Sequence, residues 1–141
     1  MNKYYRWLRA LVGLGGCLLA SASVPLFFSP GLMASIHGAL GLGEFPWQPI
    51  AIYLAKSTSL MYAVHGSVML FVAVNFAAYR QLVPLLGIIH VALGGALLYI
   101  DLSAGMPWWW TAFEGPPVAS LGVLFLWLYQ KAVRTEQKNR A

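Results

Sequence analysis

Four apolar stretches, each near the length of a membrane-crossing helix, decide what this chain can fold into. They cover residues 4–28, 49–79, 83–101 and 115–130. A helix needs about 20 apolar residues to cross the hydrocarbon core. Inside that core each backbone N–H and C=O must find a partner within the protein, which a helix supplies for itself. Only 9% of the chain is charged, whereas a soluble domain carries about 25%, and the four stretches account for the difference. They also use up the 141 residues, leaving no room for a soluble domain. The expected fold is therefore all-α: a polytopic membrane protein, one membrane domain over residues 1–141, with four transmembrane helices in an antiparallel bundle.

In chain order, the first stretch is entered through Lys3, Arg6 and Arg9. Its basic start, apolar centre and Ala20-Ser21-Ala22 resemble a signal peptide. However, Arg9 shortens the apolar centre before Cys17, and the chain stays apolar through Val24-Pro25-Leu26-Phe27-Phe28, which reads as an uncleaved span. Gly13, Gly16, Cys17 and Ala20 form a strip of small residues suited to close helix packing. Cys17 is the one cysteine, so the sequence holds neither an intrachain disulfide nor a cysteine metal site. Residues 29–49 carry Leu32, Met33, Ile36 and Leu40 at helical spacing, which predicts a short interfacial helix in the first outer loop, with His37 on it and Trp47 as an interface anchor. A tight turn at Tyr79-Arg80-Gln81 makes the second and third spans antiparallel neighbours. The link over residues 102–115 contains Trp108-Trp109-Trp110, whose rings suit the headgroup layer, and Glu114 with Pro116 opens the fourth span.

The formal charge of +5 is a topology signal rather than a nucleic-acid patch. Lys3, Arg6, Arg9, Arg80, Lys131, Arg134, Lys138 and Arg140, eight of the nine basic residues, fall on one side of a four-span arrangement. Glu44, Asp101 and Glu114 fall on the other. The positive-inside rule then puts both termini, including the basic tail 131–141, in the cytoplasm of a bacterial cell, facing anionic lipid of the inner membrane.

Polar groups at membrane depth are costly and mark the places to look for chemistry. The stretch KSTSLMYAVHGSVMLFVAVN, residues 56–75, holds most of them. Lys56 stands about 36 Å up its helix from the Arg80 turn and Asp101 about 31 Å up the next. With Glu114 and Glu44 at the same end, Lys56, Asp101, Glu114 and Glu44 define an expected outer-interface ion cluster. Its two uses are to pin helices together, or to meet an anionic headgroup or solute through Lys56.

His65 and His90, on adjacent helices beside glycines, raise a second possibility, a cofactor site for haem b or a quinone completed by Tyr62. Against haem, the two histidines stand about 22 Å and 15 Å from the turn, a mismatch of roughly 7 Å for paired axial ligands. Lys56 lies half a turn out of phase with His65, so the two sites are separate. The sequence contains no HExxH, CxxC, phosphate loop or GxSxG, and offers no metal site and no catalytic residues.

Four short spans, the basic amino terminus, the first outer loop and the polar opening KSTSLMYAVHG of the second helix resemble the DoxX-like group of small bacterial membrane proteins. DLSAGMPWWWTAFEGPP is similar to a signature of uncharacterised four-helix membrane proteins. The resemblance implies a four-helix fold and, because that group includes subunits of quinone-linked oxidoreductases, a place beside other membrane subunits. The leading expectation is a non-catalytic accessory or structural subunit. It would contact the lipid bilayer and other subunits or copies of itself, without a cofactor and without nucleic acid. A redox-linked subunit using His65, His90 and Tyr62 is one alternative, and an oligomeric small-solute transporter using Lys56, Asp101 and Glu114 is the other.

Overall fold

The computed structural model describes residues 2–139, so Arg140 of the basic tail lies outside the described residues. The described chain is all-helical, without a strand. Its helices are α1 (Lys3–Ala20), α2 (Pro30–Ala39), α3 (Pro49–Val74), α4 (Phe76–Tyr79), α5 (Val83–Ala104), α6 (Trp108–Phe113) and α7 (Gly115–Lys138), with 3-10 segments at Ser21–Phe27 and Arg80–Leu82. Four helical stretches are long and apolar enough to cross a membrane: Lys3–Phe27, Pro49–Val74, Phe76–Ala104 and Trp108–Lys138.

Local chemistry explains where these elements start and stop. Pro25 sits inside the 3-10 segment that continues α1, where it cannot donate the backbone bond an α-helix would need. The Ser29 hydroxyl accepts the Leu32 N–H and caps α2, with Pro30 in its first turn. A one-residue break at Asn75 separates α3 from α4, and α4 runs into the 3-10 segment before α5 begins with Pro84 in its first turn. Gly105, at φ 68°, ends α5 by sending its N–H back to the carbonyls of Asp101 and Leu102. Glycine takes this left-handed conformation without the Cβ clash that other residues meet.

The chain divides into two compact units. One runs from the amino terminus to Gly13 and resumes at Val72, and the other is Leu14–Phe71. In the first, α5 and α7 lie backbone to backbone. A Cβ on Gly122 would stand 2.6 Å from the Gly87 carbonyl oxygen, and one on Gly115 would stand 2.7 Å from that of Gly94. Phe125 of α7 is fully buried and meets the His90 ring edge-on at 5.5 Å. Leu8 and Val12 of α1 are fully buried, Tyr5 and Phe76 nearly so, and the Tyr5 and Phe76 rings meet edge-on at 6.1 Å. The Arg9 Nε–H donates to the Ala73 carbonyl at 2.9 Å, tying α1 to the end of α3.

In the second unit the close approach is between α1 and α3. A Cβ on Gly66 would stand 2.7 Å from the Gly16 carbonyl oxygen and would press on the Ala20 nitrogen. This gives Gly16 and Ala20, from the small-residue strip, a partner. Ser67 donates its hydroxyl proton to Ala63 one turn back, at 2.9 Å, which satisfies that polar group inside its own helix. None of α2 is buried, and Leu32, Ile36 and Leu40 are exposed.

Candidate functional site

Of the polar residues singled out from sequence, Asp101 and Glu114 are brought together in the first unit. Asp101 lies in the last turn of α5, just before the Gly105 cap. The Met106 N–H bonds the Asp101 carbonyl oxygen at 3.0 Å, and Pro107 then starts α6, so the chain folds back within six residues. At the far end of α6, Glu114 has φ −97° and ψ −76°, bending the chain into α7. Gly115 fixes the level of that bend, because its bare α-carbon lies against the Leu98 backbone. The Glu114 carboxyl therefore sits beside that of Asp101, within range of a side-chain hydrogen bond and of charge interaction.

The pair is unequal in its surroundings. Asp101 is 4% exposed, and its Oδ2 is buried with no hydrogen-bond partner among the described residues. Glu114 is half-buried and accepts the indole N–H of Trp110 one turn earlier. Thr111, also buried, donates to the Pro107 carbonyl at 3.4 Å and lines the same turn. The three tryptophans thus divide their work: Trp110 bonds Glu114, Trp109 packs edge-on to it at 5.7 Å, and Trp108 stands 79% exposed. Two carboxyl groups and one indole donor make an acceptor-rich site suited to a hydrogen-bond donor or a cation.

The other residues of the expected ion cluster, Lys56 on α3 and Glu44 in the loop before it, belong to the second unit. There Lys56 is half-buried and Glu44 exposed. Of the expected cofactor residues, Tyr62 and His65 also lie in the second unit, on α3, and both are half-buried. His90 lies in the first, 2% exposed, with Nδ1 at 2.7 Å from the Leu86 carbonyl. That contact and the Phe125 ring fix the orientation of the imidazole. His37 ends α2, with Nε2 at 3.4 Å from the Leu42 carbonyl and its ring against Phe45. Among the described residues no group of three or more His, Cys, Asp or Glu is placed to hold a metal ion.

A second polar cluster, absent from the sequence reading, joins the start of α1, the Arg80 turn and the end of α7. Arg80 Nη1 and Nη2 each approach the Glu136 carboxylate at 3.4 Å, and its guanidinium lies over the Tyr5 ring, 4.7 Å from the centroid. The Tyr5 hydroxyl donates to Glu136 at 3.3 Å, and the Asn2 amide donates to the Ala132 carbonyl at 2.8 Å. One sequence signal points to it: Glu136 is the lone acidic residue in a basic tail.

No family model matches this chain, and no curated protein or solved structure matches it to a significant degree.

Proposed function

We propose that this chain is a multi-pass protein of a bacterial inner membrane, with both termini cytoplasmic and α2 at the outer interface. In this reading it serves as a non-catalytic accessory or structural subunit. The observation that carries it is the outer surface of the spans. Between 17% and 28% of the most apolar part of each span is buried within the chain. Residues such as Leu14, Leu18, Leu60, Val64, Phe71, Ile88, Ile100 and Val123 are exposed. Apolar surface of this extent needs lipid or other helices against it. The polar groups support the same reading, because Arg9, Arg80, Glu136 and the Asp101–Glu114–Trp110 group fasten one segment of the chain to another. The DoxX-like resemblance, with its oxidoreductase subunits, points to the same role. The test is extraction in native membrane patches after chemical cross-linking. An accessory subunit migrates in a defined assembly with other chains or copies of itself, whereas a lone 15.4 kDa species would overturn the proposal.

His90 supports a second reading, a redox-linked subunit. A histidine held through Nδ1 by a backbone carbonyl has the orientation used by metal- and haem-ligating histidines. Bound haem would supply electron transfer, while the protein's part is to fix the ring between Leu86 and Phe125. The visible spectrum of gently purified protein separates the two: a Soret band abolished by His90→Ala supports the redox subunit, and its absence supports the accessory role.

A further inference from the structure

Where α6 joins α5 to α7, two carboxyl groups meet without a basic side chain to balance them. The backbone imposes the meeting. A Cβ on Gly115 would stand 2.8 Å from the Leu98 nitrogen, so the start of α7 lies on α5 one turn before Asp101. Leu98 and Asp101, three residues apart, share a face of α5. Glu114, next to Gly115, is thereby held against Asp101, within hydrogen-bonding and charge range.

Few other groups of the first unit face the pair. On α5, Tyr99 lies two residues before Asp101, off its face, and is 73% exposed. The α6 sequence WWWTAF has no acidic or basic side chain and supplies the Trp110 indole N–H, which bonds Glu114 Oε2. On α7 the next titratable residue is Tyr129, about 21 Å along the helix. Among the described residues no lysine, arginine or histidine forms an ion pair with either carboxyl.

Asp101 is 4% exposed, and its Oδ2 is closed to solvent and lacks a hydrogen-bond donor. If both carboxyls were ionised they would repel each other, and the buried one would be a charge without the donors it needs. The end of α5 adds to the cost, because the C-terminus is the negative end of the helix dipole. One proton answers all of this. It cancels one charge, and it makes one carboxyl an O–H donor to the other. Unlike a metal ion or an ammonium group, it needs no cavity at the enclosed Oδ2.

We propose that Asp101 and Glu114 bind one proton between them at neutral pH, as an acid–carboxylate pair. The proton belongs to the pair, since either carboxyl can carry it. Trp110 supports the arrangement by donating to Glu114 through a separate bond. The site is independent of the accessory role, which the cross-linking experiment decides on its own.

The test is infrared spectroscopy of the full-length chain in maltoside micelles, which contribute no carbonyl band. A protonated carboxyl absorbs apart from ionised carboxylates, and the chain has only four acidic side chains, Glu44, Asp101, Glu114 and Glu136. The expected spectrum at neutral pH shows one protonated carboxyl per chain, lost in a single step as the pH is raised. Asp101→Asn should abolish the band, because Glu114 is half-buried and then faces an amide donor in place of a like charge. Glu114→Gln should abolish or displace it, because the new amide donates to Asp101. Circular dichroism checks the helix content of both variants. No protonated carboxyl in the unmodified chain, or two of them, would overturn the proposal even if a variant failed to fold. A band unchanged by Asp101→Asn would place the proton elsewhere, and one unchanged by Glu114→Gln would mean that Asp101 holds it alone; either result defeats the shared site.

Discussion

Gly94 and Gly95 are neighbours on α5, yet adding one methyl group should have opposite effects at the two positions. A Cβ on Gly94 would stand 2.6 Å from the Gly115 carbonyl oxygen and 2.8 Å from the Ala119 Cβ, and would press on the Ala119 nitrogen. Ordinary contact begins at 3.4 Å, so α5 and α7 must part by at least about 0.8 Å at this point. The obstacles are mainly backbone atoms, which cannot rotate away. Overpacking of this kind costs roughly 1–3 kcal/mol, against a gain of up to about 1 kcal/mol from replacing glycine in a helix. The net expectation for Gly94→Ala is a loss of about 1–2 kcal/mol. A Cβ on Gly95 meets nothing within 4 Å, so Gly95→Ala keeps only the helix gain and is neutral or up to about 1 kcal/mol stabilising. Unfolding of both variants in the same micelles with increasing denaturing detergent, followed by circular dichroism, measures the difference. If Gly95→Ala were as damaging as Gly94→Ala, or if Gly94→Ala were neutral, the backbone-to-backbone packing of α5 on α7 would be refuted.

Two further substitutions probe the polar ties. Glu114→Ala strands the Trp110 indole N–H and should cost about 1–2 kcal/mol, whereas Glu114→Gln keeps an acceptor and should cost less than half of that, both read by the same unfolding assay. Tyr5→Phe removes only the 3.3 Å bond to Glu136 and should cost under about 1 kcal/mol, while Tyr5→Ala empties a nearly fully buried site between Phe76 and Tyr129 and should cost about 3 kcal/mol or more.

The existence of four long apolar helices was legible in the sequence because hydrocarbon thickness imposes a length that composition alone reveals. The break at Asn75 was not. VAVNFAAY is apolar on both sides of it, so the pattern runs on to Tyr79, and the one signal is an asparagine, a residue that competes with the helix for backbone bonds. Asp101 and Glu114 could be placed at one end by counting residues. Trp110 could not be singled out among three identical neighbours, because only the turn of α6 decides which indole reaches Glu114. Gly87 and Gly94, on either side of His90, lie against α7, Gly87 at the Leu126 side chain and the Gly122 carbonyl and Gly94 at the Gly115 and Ala119 backbone, a contact that needs a partner helix and so has no local signature. The Tyr5–Arg80–Glu136 cluster joins residues as much as 131 positions apart, which no local pattern encodes.

The most direct test of the four-span arrangement is labelling of single cysteines in intact cells with a membrane-impermeant maleimide, in a Cys17→Ser background. Gln48→Cys and Ser103→Cys, at exposed positions before α3 and near the end of α5, should be labelled from outside. Gln81→Cys and Lys138→Cys, exposed in the α4–α5 turn and at the end of α7, should react only after the membrane is opened. Labelling of all four from outside, or the reverse pattern, would contradict four spans with both termini in the cytoplasm.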